Sequence, residues 1–223
     1  MGYGSGCHTI IPSMTYQWDP QVARVIQEAG PSAFVVDFGA GGRRAAPHVK
    51  TVDFTRYPDT DYVVDLTKEQ APIEAGTVDL VLCTGVFEHI TDPDALTREA
   101  HRILRRGGIF HVEMPFMQVY HDDPIDERRF TVPGLRRYLV ARGFTVEREG
   151  THIGPTVALL GMIVAYVNLL LYAPTLPAKI ICNGVLAVLS WLIVPLKYLD
   201  HFVGRRRRAH ELAFGIYATA RKP

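Results

Sequence analysis

Apolar residues in the first two thirds of the chain fall into short unbroken runs separated by amphipathic stretches. Ala33 to Phe38, Thr51 to Phe54, Tyr62 to Leu66, Val78 to Cys83 and Ile109 to Glu113 show no alternation, the pattern of strands covered on both faces in a parallel sheet. Helical stretches lie among them. Asp19 as N-cap, Pro20 at the first helical position and Gly30-Pro31 as terminator bracket Val22, Val25 and Ile26. Asp92 as N-cap and Pro93 open a second helix through Leu96, Ala100, Ile103 and Leu104, with Gly107-Gly108 as its expected stop. A third is expected over Thr131 to Arg142, closed by Gly143, followed by a strand at Phe144 to Arg148 and a last one at Leu212 to Ala220. Alternation of this kind predicts a doubly wound α/β sheet.

The pattern changes at residue 153. From 153 to 196 the only charged residue is Lys179, and Ala173-Pro174-Thr175-Leu176-Pro177 interrupts the run with helix-breaking prolines. Two apolar helices in a hairpin are expected, inserted before the last strand, each near the lower limit of about 17 residues for crossing a bilayer. Lys197 and Arg205 to Arg208 follow, a basic flank of the kind that stays on the cytoplasmic side and meets anionic headgroups. A membrane anchor over 153–208, spanning or dipping, is the expectation. An internal helical pair or a dimer interface is the bland alternative. Residues 1–152 and 209–223 make up the remaining domain.

Composition narrows the possible partners. The 223 residues carry 24 Lys and Arg against 23 Asp and Glu, a formal charge of +1, which argues against a protein held to nucleic acid by bulk charge. At 48% hydrophobic and 21% charged, the chain can build a sizeable core. Cys7, Cys83 and Cys182 are far apart and show no Cys/His spacing of a zinc site, so a reducing compartment and no metal are expected. The N-terminal residues lack a charged region followed by an apolar run, so no secretory signal is expected.

The first strand ends in Asp37-Phe38-Gly39-Ala40-Gly41-Gly42. Glycines there let a ligand approach the backbone, and Asp53, ending the next strand, can hold ribose hydroxyls. A dinucleotide fingerprint would need a third glycine where Arg44 stands, and no Gly-Lys-Ser/Thr makes a phosphate loop. An acid two residues before the first glycine suits a ligand with a positive amino group.

These residues resemble the class I S-adenosylmethionine-dependent methyltransferases. The matching pieces are Val35 to Gly41, Val52-Asp53, Val64-Asp65-Leu66, Val78 to Cys83 running into Val86-Phe87-Glu88-His89-Ile90, then Arg98-Glu99 and Leu104 to Gly108. The resemblance implies a Rossmann-like methyltransferase fold, a seven-stranded mostly parallel sheet whose last strand is antiparallel, with the apolar helical hairpin as its insertion. It implies S-adenosyl-L-methionine as cofactor, with Gly39, Ala40 and Gly41 under the methionine part and Asp37 near its amino group. By the same carry-over Asp53 accepts the ribose hydroxyls, Asp65 and Leu66 flank the adenine, and Cys83, Thr84 and Gly85 lie near the sulfonium. The chain departs from the pattern in two places: the family has another glycine near Arg43, and Gly39 to Asp53 leaves little room for a helix, with Pro47 shortening it further.

Methyl transfer needs positioning and exclusion of water more than acid–base chemistry, though a hydroxyl acceptor gains from a base. Glu88 and His89 after the fourth strand, and His121, Asp122, Asp123 and Asp126 after the fifth, project from the carboxyl end of the sheet. The loop His121 to Thr131 resembles a methyltransferase subgroup with H-x-D-P-x-D-x-x-R-F-T, often associated with polysaccharide or glycolipid assembly. His121 is the expected base, with Asp122 or Asp123 orienting it; His89 is a further catalytic candidate, or a structural one. The alternative is that His121 and the aspartates only hold the loop while Asp126 pairs with Arg129. The expected acceptor is a lipid, lipid-linked glycan or quinone-like molecule at the cytoplasmic face of a membrane, with no nucleic-acid partner. Rivals are a non-catalytic membrane subunit on the same fold and a nicotinamide-dependent oxidoreductase.

Overall fold

The computed structural model describes residues 20–122, 124–171 and 175–223. Cys7, Asp19, Asp123, Ala173 and Pro174 fall outside these residues, and with them the first helix's expected N-cap, one expected partner of His121 and part of the expected proline turn.

Seven strands form one sheet: β1 (Val35–Phe38), β2 (Lys50–Asp53), β3 (Tyr62–Val63), β4 (Val78–Thr84), β5 (Leu104–Pro115), β6 (Thr145–Ile153) and β7 (Gly215–Arg221), in the order β3-β2-β1-β4-β5-β7-β6. Only β7 runs against its neighbours. Burial of β1 on both faces explains its unbroken apolar run. Along β4, Val81 and Cys83 face a core shared with α2 (Asp94–Ile103) and α3 (Val132–Val140), while Leu80 and Leu82 face a smaller one under α1 (Pro20–Ala29). On α2, Leu96, Ala100 and Ile103 recur at helical spacing and are buried. Its Arg102 and Glu99 grip the backbone of Ala71 and Ile73, tying the β3–β4 connection to the sheet.

Several expected boundaries move. The N-cap position of α2 is Pro93, and Asp92 accepts the amide hydrogen of Asp94 as a turn residue. The helix ends at Ile103 and not at Gly107-Gly108, because Leu104 already takes extended backbone and pairs with Val78. The two glycines serve an irregularity in β5, where Gly107 has φ +76° and an added Cβ on Gly108 would meet the carbonyl of Val78 at 3.1 Å. The α3 N-cap is Thr131, whose hydroxyl accepts from the Gly134 amide. The sixth strand runs on past Arg148 to Ile153, the last begins at Gly215 and not at Leu212, and β3 is only two residues long. Among the described residues no helix lies between β1 and β2, between β2 and β3, or between β3 and β4.

After β6 the chain enters α4 (Pro155–Leu170) and α5 (Leu176–Ile193), continues through a 3₁₀ segment and α6 (Asp200–Val203), and returns to β7. Ile153 pairs with Gly215, so the excursion leaves and re-enters at one point, the carboxyl end of the parallel strands. The Asp200 carboxylate closes its base by accepting the amides of Thr156 at 2.8 Å and Val157 at 3.1 Å, which are unpaired donors of the first α4 turn. Within Leu176–Val203 an 18-residue stretch has a mean hydropathy of 1.9 and only 17% of it is buried, so it is not packed as a core helix among the described residues. Leu159, Tyr166, Leu169, Ile180, Ile181, Val188, Trp191, Leu192 and Phe202 are all more than half exposed.

Candidate active site

The glycine turn after β1 is built by its backbone. Gly39, Gly41 and Gly42 have φ of +69°, +59° and +74°, a region that costs residues with a Cβ about 1–2 kcal/mol. The Gly39 amide bonds the Val52 carbonyl at 2.8 Å, and a Cβ there would sit 2.5 Å from Val86 Cγ2, so the turn lies directly against the loop after β4. At Gly41 an added Cβ would meet open space. The Gly41 amide donates to Asp53 Oδ2 at 2.9 Å, and the Thr55 amide to Asp53 Oδ1 at 2.8 Å. Each Asp53 oxygen keeps a second lone pair for another donor. Asp37 lies beneath this turn, 7% exposed, and its Oδ1 has no hydrogen-bond partner among the described residues. Burial raises its carboxyl to about 7; Arg43 pulls it down, while Glu113 and Asp53 push it further up.

A second group of polar side chains sits where the loops after β4 and β5 meet. His89 Nε2 and His121 Nε2 face each other at 3.3 Å with the rings at 88°. His89 Nδ1 is 2.9 Å from the Ile125 carbonyl, and His121 Nδ1 is 3.1 Å from Asp126 Oδ2 in a bent approach. Asp126 is also held by the Arg129 guanidinium on both oxygens. The Glu88 carboxylate adjoins the pair, Oε1 lying 3.8 Å from His89 Nε2, and its buried Oε2 has no partner among the described residues. Burial lowers the His121 imidazole below its ordinary value, against the pull of Asp126, and raises the Glu88 carboxyl.

Residues 21–112 match the family described as a methyltransferase domain. That match covers about two-fifths of the chain, and with the strand order and the glycine turn it gives the described residues the fold of the class I S-adenosylmethionine-dependent methyltransferases. No curated protein matches its sequence. Solved structures share the fold at low identity. The 1,6-didemethyltoxoflavin-N1-methyltransferase of Burkholderia thailandensis, solved with S-adenosylhomocysteine, is 17% identical, with 91% of this chain and 76% of that one covered at a TM-score of 0.55. An S-adenosylmethionine-dependent methyltransferase from Mesorhizobium loti is also 17% identical, covering 91% and 96% at 0.51. The phosphoethanolamine N-methyltransferase 2 of Haemonchus contortus, in complex with S-adenosyl-L-methionine, is 16% identical, covering 91% of this chain and 52% of its own at 0.51.

The cofactor of this methyltransferase domain is S-adenosyl-L-methionine, and the cradle fits it: a partnerless buried carboxylate oxygen stands under a turn whose backbone is open to a ligand. Asp37, Gly39, Ala40, Gly41 and Asp53 are brought together. Thr84 is half-buried and Gly85 exposed at the same end of the sheet, the Gly85 amide bonding the Glu113 carbonyl at 3.0 Å. Three of the expected cofactor residues have side chains engaged elsewhere. The Cys83 side chain is packed wholly into the core, where burial pushes its thiol well up, which leaves its backbone as the part that can face a ligand. The Asp65 carboxylate is spent on Thr67 and on Lys68 at 2.7 Å, the latter chiefly lowering its carboxyl to about 2; beside it Leu66 is buried in the core. Arg43, which stands where the family has glycine, is exposed and leaves the turn open.

Asp122 is exposed and makes a backbone bridge to Ile125; among the described residues the carboxylate that faces His121 is Asp126. The sequence pairs Asp126 with Arg129 alone, whereas the loop folds back so that one carboxylate serves both. A third polar group escapes the sequence reading. His111 is fully buried, with Nδ1 on Thr219 Oγ1 and Nε2 on Glu113 Oε1, both at 2.9 Å, and Glu113 Oε2 is 3.4 Å from His152. Its signal was His and Glu two residues apart in an otherwise apolar strand, which places both on one face.

Proposed function

We propose that this protein methylates a hydroxyl of a lipid, lipid-linked glycan or quinone-like acceptor at the cytoplasmic face of a membrane into which α4 and α5 insert. The observation that carries the reading is the common exit and return of the apolar excursion at the carboxyl end of the sheet, the end that also bears the glycine turn, His89 and His121. The exposed apolar surface of α4 and α5 supports insertion, and exposed Arg205, Arg206 and Arg207 beyond its base support the cytoplasmic assignment. At ~1.5 Å per residue, the 16 residues of α4 reach about 24 Å, short of the ~30 Å hydrocarbon layer, which favours an excursion that dips and returns.

When bound, S-adenosylmethionine supplies a methyl group already activated on a sulfonium. Asp37 and the turn Gly39 to Gly41 hold its amino acid part, and Asp53 its ribose. His121, with Asp126 beside Nδ1, would take the acceptor hydroxyl's proton at Nε2, the methyl carbon exchanging its bond to sulfur for one to the acceptor oxygen and leaving a neutral thioether. Val86 and the loop around it close the site against water.

The test is transfer of labelled methyl from S-adenosylmethionine to a lipid extract of the native host. Label in an organic-soluble species, lost in His121→Ala while S-adenosylhomocysteine still binds, supports the reading. Label confined to water-soluble products would overturn the lipid acceptor.

A further inference from the structure

We propose that Glu88, His89 and His121 form a binding site for a divalent transition-metal ion, with zinc the best fit. The three residues come from two loops 32 positions apart, and each offers one ligand atom within 4.8 Å of the others. The geometry of the histidines suits a cation. A carbonyl oxygen only accepts, so the contact of His89 Nδ1 with Ile125 O at 2.9 Å places a hydrogen on Nδ1 and leaves the lone pair on Nε2. His121 Nδ1 lies 3.1 Å from the Asp126 carboxylate without a hydrogen bond to it, and the charge of that carboxylate favours a hydrogen on Nδ1. With that tautomer two Nε2 lone pairs face each other across 3.3 Å, a contact that a shared cation would satisfy.

The dimensions agree. Two nitrogens each ~2.0–2.1 Å from a tetrahedral zinc lie ~3.3–3.4 Å apart. Glu88 Oε1 at 3.8 Å from His89 Nε2 is a few tenths of an ångström long for the same arrangement, within reach of a small side-chain rotation. The Glu88 side chain is 4% exposed, and its Oε2 has no partner among the described residues, so a buried carboxyl group stands where a cation would hold it in the ionised form. A histidine that holds a metal through one nitrogen and a carboxylate or carbonyl through the other is the usual outer-shell arrangement; His89 has it, and the Asp126 carboxylate stands beside the corresponding nitrogen of His121. Two imidazoles and one carboxylate leave a fourth position open, as catalytic zinc sites do. The side-chain geometry alone carries the site. Its role rests on the methyltransferase reading: an acceptor oxygen in the open position would lose its proton more readily, and the ion would replace His121 as the activating group.

The full chain, freed of any affinity tag and stripped with chelator, is titrated calorimetrically with Zn²⁺, and with Co²⁺ for its visible spectrum. One ion per chain and a tetrahedral Co²⁺ spectrum are expected. His89→Ala and His121→Ala should each weaken Zn²⁺ binding more than the about 10- to 100-fold that Asp126→Asn costs by loosening His121. Glu88→Gln keeps the side chain's shape and guards against misfolding; with an unchanged unfolding temperature in the metal-free state it should still lose affinity. Failure of folded wild-type protein to bind stoichiometric Zn²⁺ overturns the site, as does undiminished binding in the His89→Ala, His121→Ala double variant. S-adenosylhomocysteine is titrated into the same samples. If it binds where zinc does not, the metal site is refuted alone; zinc without the nucleoside upholds the site and counts against the methyltransferase reading.

Discussion

Asp37 carries a conflict that a ligand can resolve. Its carboxyl, raised to about 7 by burial, is neutral in the empty protein at mildly acidic pH, yet an ammonium ligand is best met by the ionised form. Affinity for S-adenosylhomocysteine should therefore rise about tenfold per pH unit up to about 7 and level off above it; Asp37→Asn should bind weakly with no such slope. The sign for stability is opposite. The folded carboxyl holds its proton up to about 7 and the unfolded one only to about 3.8, so the ligand-free protein loses stability as pH rises between those values. Asp37→Asn should remove that loss and be more resistant to urea than wild type at pH 8. At Gly39 the constraint is steric: φ of +69° and Val86 Cγ2 at 2.5 Å predict that Gly39→Ala destabilises by about 1–3 kcal/mol in urea titrations and abolishes nucleoside binding. Both residues were legible in the sequence, because an acid and glycines ending a buried strand have few other uses. Asp126 as the partner of His121 was not, since a loop can offer three aspartates in a row of six residues and only its path selects one.

Among the elements, α4 depends on a residue far along the chain. Asp200 caps its first turn across 44 positions, with Gly154 leaving the space the carboxylate occupies. Asp200→Ala should cost about 1–2 kcal/mol in reversible unfolding, and Asp200→Asn less, with nucleoside binding unchanged in both. A cap supplied from so far away is invisible to any local rule. The β5 glycines show the converse limit: Gly107-Gly108 fits the pattern of a helix stop, but Leu104 gains a partner in Val78 and the chain leaves the helix earlier. Pairing energy along the sheet outweighs the last helical turn.

For the molecule as a whole, the sheet and the helical excursion are joined at one antiparallel pair, Ile153 with Gly215. Replacing residues 154–214 by a two-residue Asn-Gly turn, which suits the twist of such a pair, should give a water-soluble protein that still binds S-adenosylhomocysteine. Recovery of that variant only as aggregate would show that the sheet needs the helices. The intact chain should remain with membranes through high-salt and carbonate washes; release as a monodisperse soluble oligomer would assign the exposed apolar faces to subunit contact instead.

The succession of strands and helices, the glycine turn with its acid, and the presence of an apolar helical pair can all be read along the chain, because each rests on local patterning: runs buried on both faces, φ available only to glycine, and an apolar stretch with a single charge. Fold class and cofactor follow from these. The acceptor side cannot be read in this way. Glu88, His89, His121 and Asp126 converge from two loops, Asp200 meets α4 across the whole insertion, and His111, Glu113, His152 and Thr219 meet through three strands of the sheet. Such contacts exist only once β4, β5, β6 and β7 lie side by side, since burial then forces polar groups distant in sequence to satisfy one another.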